Sequence, residues 1–181
     1  MKITIVTATW NSGATLRHTM RSVLSQSYPN IEHIIVDGGS TDNTMEIVHE
    51  LEPEYQGCLR YISEKDKGIY DAMNKGIAMS TGNIVGILNS DDFYTSDSVL
   101  STVVSAFEDG NIDAVYGDIH YVQDNDLQKC TRYYSSKLFH RRWMRLGFMP
   151  AHPSFYCRKE IYEKYGGFNL SYKIAADFEC L

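Results

Sequence analysis

Two adjacent carboxylates, Asp91 and Asp92, carry the strongest chemical signal in the chain. They follow an apolar run at residues 84–88, which is typical of a strand buried on both faces of a parallel sheet. Open α/β sheets bind ligands at the carboxyl ends of such strands. Neighbouring carboxylates repel each other, and a cation such as Mg²⁺, which usually takes one or two carboxylates plus substrate phosphate oxygens, relieves that repulsion. The doublet therefore predicts a metal site. The alternative is a helix start, because Ser96 and Asp97 follow.

Three earlier apolar runs also end in polar, loop-forming residues. These runs lie at residues 2–7, 31–36 and 59–62, and a helical pattern of apolar residues follows each of them, as it does after residues 84–88. Four repeats of strand and helix predict a doubly wound α/β layer. Because the carboxyl ends of parallel strands meet at one edge of the sheet, we expect four loops to converge on one crevice. Those loops contain Trp10-Asn11, Asp37-Gly38-Gly39, Asp66-Lys67 and Asp91-Asp92.

The second half of the chain has a less regular pattern. Apolar spacing predicts a helix through residues 99–107, broken strand structure at 114–122, a short strand at 154–157 and a helix at 160–165. With 181 residues, of which 43% are hydrophobic, the chain is long enough for one domain with a full core. Since no linker, repeat or low-complexity segment divides it, we expect a single domain over residues 1–181.

Composition argues against several classes of protein. The formal net charge of −6 disfavours general affinity for nucleic acid. The sequence contains no run of about 20 apolar residues, so no membrane span is predicted. Residues 1–6 have the pattern of a strand and are too short for a signal peptide. Scattered cysteines in such a chain indicate the reducing cytoplasm. The cysteines, which form no paired motif for zinc or redox chemistry, are Cys58, Cys130, Cys157 and Cys180.

Basic and aromatic residues are concentrated between Lys129 and Arg145, where no acid occurs. Six cations of this basic-aromatic segment alternate with tyrosine, phenylalanine and tryptophan rings. Two interpretations remain open. The segment is a solvated face with a few core aromatics, or it faces an anionic partner such as acidic lipid headgroups or a phosphate-bearing substrate.

Two common nucleotide-binding motifs are missing from the sequence. No glycine-rich loop ends in Lys-Ser or Lys-Thr, so there is no P-loop. The turn after the first strand lacks the three spaced glycines of a dinucleotide fold, although Asp37 stands where that fold places its ribose-binding acid. Trp10 occupies this turn instead, and its flat ring can stack on a base. The alternative for Trp10 is a place in the core.

Five segments in order along the chain carry a family resemblance: TATWN at residues 7–11, QSYPNIE at 26–32, VDGGSTD at 36–42, DKGIYDAMNKG at 66–76 and LNSDD at 88–92. Together they resemble the family 2 inverting glycosyltransferases with the GT-A fold, and most of all the bacterial members that build capsule, O-antigen and other exopolysaccharides. The resemblance covers nearly the whole chain. It implies a three-layer α/β/α fold with a mostly parallel mixed sheet. It also implies that residues 1–95 bind the nucleotide sugar, that residues 96–181 bind the acceptor, and that a carboxyl-terminal part is missing.

The resemblance implies which residues hold the nucleotide base. Thr9, Trp10 and Asp37 match the first loop and the acid after the second strand that do so in the family. A carboxylate such as that of Asp37 can accept the imide hydrogen of uracil. A UDP-sugar is therefore the expected donor.

The resemblance also implies contacts to the phosphates, the sugar and the metal. Asn74 lies in the segment that borders the nucleotide and sugar, and Lys67 or Lys75 is the expected phosphate contact there. Asp92 is the expected ligand of Mg²⁺ or Mn²⁺, and Asp91 is the expected ribose or sugar contact. We therefore expect a divalent cation as the cofactor.

Asp177 falls where the family keeps its catalytic base, although Ala176 replaces the acid that usually precedes it. A carboxylate within hydrogen-bond reach of the acceptor hydroxyl can take its proton, which is worth roughly 10²–10⁴-fold in rate, and single displacement then inverts the configuration. The alternative for Asp177 is an acid favoured at a helix start, and Glu179 is the second choice of base. His152 is expected on the acceptor side, and a structural histidine is the alternative.

The resemblance implies a glycan or lipid-linked acceptor at the inner membrane face, which suits a peripheral contact of the basic-aromatic segment with anionic lipid.

Three other functions are considered. A nucleotidyltransferase needs an early glycine-rich phosphate loop, which residues 10–13 do not form. A phosphatase with Asp37 as nucleophile lacks a second acid two residues later. A non-catalytic sugar-nucleotide-binding or assembly module is the third.

Overall fold

Strands and helices alternate through the first half of the chain in the computed structural model. The structure describes residues 1–108, 110–123, 126–137, 139–172 and 175–180, and of Arg141 and Glu179 it describes only the backbone. The strands are β1 Ile3–Thr9, β2 Ile31–Asp37, β3 Leu59–Ser63, β4 Ile84–Ile87, β5 Ala114–Val115, β6 Ile119–Gln123, β7 Asp126–Tyr134 and β8 Tyr156–Arg158. The α-helices are α1 Leu16–Leu24, α2 Thr44–Leu51, α3 Ile69–Met79, α4 Val99–Phe107, α5 Lys159–Tyr165 and α6 Ala176–Cys180. Short 3₁₀ helices lie at Glu52–Tyr55, Arg141–Leu146 and His152–Ser154.

The main sheet has six strands in the order β3-β2-β1-β4-β8-β5. The first four pair in parallel, whereas β8 runs antiparallel to both β4 and β5. The predicted mostly parallel, mixed sheet is therefore confirmed. Strands β6 and β7 form a separate antiparallel hairpin.

Helices cover both faces of the sheet, as an apolar strand with no exposed face requires. Every residue of β1 is buried, and its side chains alternate between two hydrophobic clusters because successive residues of a strand point to opposite faces. Ile3 and Ile5 pack in the cluster that contains residues of α1, α2 and α4. Val6 and Ala8 pack in the cluster that contains residues of α3, α5 and α6. The arrangement is three layers, helix on sheet on helix, as predicted.

Helix α3 lies close to the sheet at Gly76, a residue that has no side chain. A Cβ atom on Gly76 would collide with the side chain of Val6 in β1. Glycine at this position therefore sets how near α3 lies to β1, and with it where the residues at the start of α3 are held.

The predicted positions of the first four strands are confirmed, with ends that differ by at most two residues. Strand β1 continues to Thr9 and β2 continues to Asp37, so both predicted binding residues end strands and do not lie in loops. Thr9 is the register partner of Asp37, which is in turn the partner of Ser63. The carboxyl ends of three parallel strands therefore lie in one row.

In the second half, the helix predicted at residues 99–107 is confirmed, and the strand structure predicted at 114–122 is interrupted between β5 and β6, as expected. The strand predicted at 154–157 begins two residues later, at Tyr156. Within the described ranges, no helix has both the length and the apolar composition needed to cross a membrane.

Candidate active site

The four loops at the carboxyl ends of β1 to β4 contact one another, as predicted. The backbone N–H of Gly38 donates to the carbonyl oxygen of Thr9 at 2.9 Å, which joins the first two loops. The hydroxyl oxygens of Ser12 and Ser90 lie 2.8 Å apart and join the first loop to the fourth. The third loop reaches the second through Asp66, since a Cβ on Gly38 would lie 2.7 Å from Asp66 Oδ2.

Trp10 lies on the surface of this crevice and not in the core. Its side chain is 66% exposed, because the next residue, Asn11, has a positive φ of 49° and turns the chain. The turn is held by the second loop: Asn11 N donates to Ser40 Oγ at 2.7 Å, and Asn11 Oδ1 accepts from the N–H of Thr41 at 2.9 Å. The core interpretation of Trp10 is therefore wrong, and its ring is free to stack.

Asp37 is fully buried and holds the second loop together. Its Oδ2 accepts hydrogen bonds from Ser63 Oγ at 2.6 Å and from the N–H groups of Ser40 at 3.0 Å and Gly39 at 3.2 Å, and its Oδ1 accepts from Ser40 Oγ. A carboxylate with no exposed surface cannot attack a phosphate, which disfavours the phosphatase. Contact between Asp37 and a uracil base stays a prediction, and it requires this loop to open.

The acidic doublet lies in a turn closed by a hydrogen bond from Asp92 N to Asn89 O at 3.1 Å. Asp91 is exposed and Asp92 is partly buried. Burial, reinforced by the negative charge of Asp91, raises the pKa of Asp92 to about 6. Helix α4 begins seven residues after Asp92, with Ser98 at its N-cap. The doublet therefore does not cap a helix, and that alternative is wrong.

A divalent cation fits the residues of this turn. Asn89 Oδ1 is buried and has no hydrogen-bond partner among the described residues, while Asn89 Nδ2 donates to Asp92 Oδ2 at 3.3 Å. A carboxylate and an unpaired amide oxygen are the hard oxygen ligands that Mg²⁺ and related ions take. Among the residues that the structure describes, no cluster of three or more His, Cys, Asp or Glu side chains is arranged around a metal. Substrate phosphates and water therefore have to complete the coordination, which is typical of Mg²⁺.

A second group of predicted residues meets on the other side of β4. The hydroxyl of Tyr70 donates to Asp177 Oδ1 at 3.3 Å. The ring of His152 contacts that of Phe168 edge to face, with 5.6 Å between centroids. Burial lowers the pKa of His152, and the nearby charge of Asp177 partly offsets this. The structure therefore brings His152 and Asp177 close together. The side chain of Glu179, the second choice of base, lies outside the described residues.

His152 is neutral at pH 7, because its pKa is lowered from an ordinary value of 6.5. Its Nε2 is buried and forms no hydrogen bond with the described residues. A neutral imidazole with one unpaired nitrogen can donate or accept one hydrogen bond, depending on its tautomer. Because Nε2 has no exposed surface in this structure, its contact with a hydroxyl group of an acceptor stays a prediction.

The three predicted residues of the third loop and α3 have different surroundings. Lys75 Nζ lies 2.8 Å from Glu64 Oε1 and 3.5 Å from Asp71 Oδ2, so its charge is already paired. Lys67 is exposed, and its ammonium group forms no ion pair with any described residue. The side-chain amide of Asn74 is bonded to the backbone of Phe168. Lys67 is therefore the better placed phosphate contact.

Sequence reasoning missed three residues of the site: Asn89, Tyr70 and Phe168. Asn89 and Tyr70 lie inside segments that were singled out, so their positions were signalled but their contacts were not. Phe168 carried no signal, because its contacts with Tyr70 and His152 are made between segments distant in sequence.

Curated proteins with similar sequences carry glycosyltransferase names. A PGL/p-HBAD biosynthesis glycosyltransferase of Mycobacterium bovis is 28% identical over 176 residues, which cover 97% of this chain and 66% of that protein. An uncharacterized glycosyltransferase of Mycobacterium tuberculosis is 33% identical over 181 residues, which cover 98% of this chain and 66% of that protein. The chain spans about two thirds of the length of these relatives.

Solved structures with the same fold include complexes with nucleotides and nucleotide sugars. S. aureus TarS 1-349 in complex with UDP superposes with a TM-score of 0.79 at 18% identity, covering 98% of this chain and 53% of that one. The mannosyltransferase PcManGT from Pyrobaculum calidifontis, in complex with GDP-Man and Mn²⁺, gives a TM-score of 0.74 at 21% identity, covering 97% and 49%. At these identities the likeness shows the fold, which is GT-A, as predicted.

The family model described as Glycosyl transferase family 2 matches residues 4–166. This range contains β1 except its first residue, β2 to β4 and all four crevice loops, and it also contains His152. The chain belongs to glycosyltransferase family 2.

Proposed function

We propose that this chain transfers a hexose from a nucleotide-diphospho-sugar to a hydroxyl group of a glycan or lipid-linked acceptor, with metal assistance and inversion. One observation carries the proposal: the Asp91–Asp92 turn, with the unpaired Asn89 Oδ1, is joined through Ser90 to the loop that exposes Trp10. A flat ring and a cation site on adjacent loops suit the base and the diphosphate of one donor molecule. Membership of the family supports this reading.

A UDP-sugar is the proposed donor. Trp10 stacks on the base, and Asp91 contacts the ribose or sugar. Thr9, the residue before Trp10, also contacts the base, and its buried Oγ1 has no hydrogen-bond partner among the described residues. One structural neighbour is a complex with UDP-GlcNAc, whereas another is a complex with GDP-Man. Binding measurements with UDP and GDP distinguish the two donor classes.

Mg²⁺ or Mn²⁺ is the proposed cofactor, with Asp92 and Asn89 Oδ1 as its protein ligands. When bound, such a cation neutralises the negative charge that develops on the departing diphosphate. Lys67 adds a positive charge from the third loop. The protein's own part in donor binding is to hold the base, the ribose and the phosphates along the row of strand ends.

Asp177 is the proposed base. As the acceptor oxygen bonds to the anomeric carbon, the bond from that carbon to the diphosphate oxygen breaks, the nucleoside diphosphate leaves and the acceptor proton passes to Asp177. Attack from the face opposite the leaving group inverts the configuration. His152, with its unpaired Nε2, hydrogen-bonds the acceptor and so orients the hydroxyl group.

Replacement of Asp177 by Asn tests this function, because it keeps the shape of the side chain and removes its capacity to take a proton. Release of UDP or GDP is measured with UDP-GlcNAc, UDP-glucose, UDP-galactose and GDP-mannose as donors. Asp177→Asn is expected to lower the rate roughly 10²–10⁴-fold and to leave nucleotide affinity unchanged. Release at the native rate would refute the assignment.

A non-catalytic sugar-nucleotide-binding or assembly module is the second candidate. It is favoured by Ala176, which is fully buried where the family usually has an acid. The module binds UDP or GDP but releases no nucleotide from any of the four donors. Binding without turnover, in a chain that covers the full length of the relatives, would select this candidate.

The basic-aromatic segment is the proposed contact with an anionic membrane surface. All but the last residue of β7 are exposed, and beyond it Trp143, Leu146 and Phe148 are 44%, 73% and 57% exposed. Arginine with exposed aromatic side chains suits a charged lipid interface. Sedimentation with liposomes is expected to require anionic lipid and to weaken with added salt. No binding at low salt would remove this contact.

A further inference from the structure

Helix α3 contacts the segment that carries Asp177 at two points one turn apart. Tyr70 Oη donates to Asp177 Oδ1 at 3.3 Å. Four residues later, Asn74 pairs with the backbone of Phe168: its Nδ2 donates to the carbonyl oxygen at 2.8 Å, and its Oδ1 accepts from the N–H at 2.8 Å. Residues four apart lie on the same face of a helix. One side chain of α3 therefore holds the chain at Phe168, and the other holds it at Asp177.

These contacts are closely packed. The ring of Tyr70 stacks on that of Phe168, with 5.5 Å between centroids and 26° between planes, and Phe168 is only 4% exposed. A Cβ on Gly167 would collide with Asn74 Oδ1, so glycine lets the backbone reach the amide. Hydrogen bonds shielded from water in this way hold their geometry better than exposed ones.

The backbone just before Asp177 is also held in place. Ala175 has a positive φ of 66°, which is uncommon for alanine and sets the direction in which α6 starts. Ala176 is fully buried in the cluster that contains α3. Tyr70 contacts Oδ1 of Asp177, and in the described part of the chain no hydrogen bond reaches Oδ2. Oδ2 is therefore the oxygen that is free to take a proton.

We propose that Tyr70 is a positioning residue for Asp177, and that Asn74 supports it by clamping Phe168. This inference rests on the proposed role of Asp177 as base. It places Asn74 behind the base and not against the nucleotide, because both polar atoms of its amide are used within the protein. The hydroxyl of Tyr70 holds one carboxylate oxygen so that the other faces the acceptor.

Replacement of Tyr70 by Phe tests the proposal, because it keeps the ring that stacks on Phe168 and removes the hydrogen bond. The kcat for nucleotide release, with whichever of the four donors the native chain uses, is expected to fall about tenfold. The KM for the donor and the affinity for UDP stay at their native values, since Tyr70 acts through the base. Tyr165→Phe removes a hydroxyl from a tyrosine that is 73% exposed, and as the matched control it leaves kcat unchanged.

The double variant Tyr70→Phe with Asp177→Asn separates positioning from a merely structural role. When one residue acts through another, removing it costs nothing further once the other is gone. The double variant is therefore expected to match Asp177→Asn alone. A native kcat for Tyr70→Phe, or a further tenfold loss in the Asp177→Asn background, would overturn the proposal while the proposed function stands.

Amide hydrogen exchange of residues 167–177 tests the clamp without any turnover. Exchange is expected to speed up in Asn74→Ala and Tyr70→Phe and to stay native in Tyr165→Phe. Unchanged exchange in both variants would overturn the inference. If exchange speeds up but Asp177→Asn retains the native rate, the assignment of the base fails, and Tyr70 holds a residue that is not the base.

Discussion

Three buried side-chain atoms lack a hydrogen-bond partner in the part of the chain that the structure describes: Thr9 Oγ1, Asn89 Oδ1 and His152 Nε2. Leaving a buried polar atom unpaired costs about 1–3 kcal/mol, so native proteins rarely do it. All three belong to segments assigned here to donor, metal or acceptor. Pairing of these atoms with the proposed ligands would offset this cost.

Asp92 is predicted to lower the stability of the metal-free protein. Its folded-state pKa, about 6, lies above the ordinary value of 3.8 for an aspartate. The ionised form is therefore disfavoured in the folded state, and this penalty is complete above pH 6 and absent below about 3.8. At pH 7.5, Asp92→Asn is expected to raise the unfolding midpoint by about 2–5 °C, as measured by thermal unfolding without metal.

Added Mn²⁺ is expected to raise the midpoint of the native protein and to leave that of Asp92→Asn unchanged. Asp97→Asn, at an exposed acid five residues later, is the matched control and should follow the native protein. A lower midpoint for metal-free Asp92→Asn would contradict the assignment of Asp92 as a strained, unpaired carboxylate.

At the residue scale, the sequence allowed prediction of positions but not of their partners. Asp91, Asp92 and Trp10 could be found because polar or aromatic residues directly follow buried strands. The partner of Asn74 could not be found, because it lies 94 residues away and becomes a neighbour only when the segment after α5 packs on α3. The pairing of Tyr70 with Asp177 spans 107 residues and was missed for the same reason.

At the scale of elements, the close approach of α3 to β1 determines where Tyr70 and Asn74 lie. Gly76→Ala is expected to destabilise the fold by about 1–3 kcal/mol, because the added methyl group collides with Val6 and overpacks the core. Chemical denaturation measures the change. In a free helix the same substitution would stabilise by about 1 kcal/mol, so the sign of the effect is the test.

Gly117→Ala is the matched control for this prediction. The nearest atom to a Cβ on Gly117 is 3.9 Å away, on Ser154, which is an ordinary contact. The free energy of unfolding of Gly117→Ala should stay within about 0.5 kcal/mol of the native value. Equal stability of both variants would mean that α3 is not held against β1 as described.

Elements buried on both faces were the easiest to predict from sequence. Strands β1, β2 and β4 are almost wholly buried, so their apolar runs stand out. Strand β8 has three residues and β5 has two. Such short strands carry little pattern of their own, and their antiparallel pairing depends on where the connecting segments lead the chain.

At the scale of the whole molecule, two buried ionisable groups in β2 set the response of stability to acid. Burial raises the pKa of Glu32, but hydrogen bonds, chiefly from Thr4 and Thr81, outweigh it and bring the pKa down to about 2. Burial lowers the pKa of His33 to about 3. Its ring contacts Thr7 Oγ1 at 3.0 Å and the hydroxyl of Tyr55 at 2.8 Å.

Both shifts have the same sign. Each folded-state pKa lies below the ordinary value, which is 4.5 for the side chain of Glu32 and 6.5 for that of His33. The unfolded chain therefore binds more protons as the pH falls, and the stability that each group contributes is present above its unfolded pKa and lost below it. The loss begins near pH 6.5 through His33 and continues from pH 4.5 towards 2 through Glu32.

The Asp92→Asn variant lacks the opposite contribution that Asp92 makes between about pH 6 and 3.8. In this variant the free energy of unfolding is accordingly expected to be flat above pH 7 and to fall steadily below pH 6.5, as followed by urea denaturation between pH 8 and 3. Glu32→Gln should cost about 3 kcal/mol at pH 7 and flatten the part of the curve below pH 4.5. His49→Asn, at an exposed histidine, is the control and should keep the native profile. Constant stability down to pH 4 would contradict both assignments.

Titration calorimetry of UDP and GDP, with and without Mn²⁺, tests the central claim most directly, namely that the Asp91–Asp92 turn and the loop of Trp10 bind one nucleotide donor through a cation. The native protein is predicted to bind UDP at least about tenfold more tightly with Mn²⁺, a gain of about 1.4 kcal/mol, and Asp92→Asn is predicted to lose this gain. The claim is contradicted if Mn²⁺ changes neither affinity, or if Asp92→Asn responds to Mn²⁺ as the native protein does.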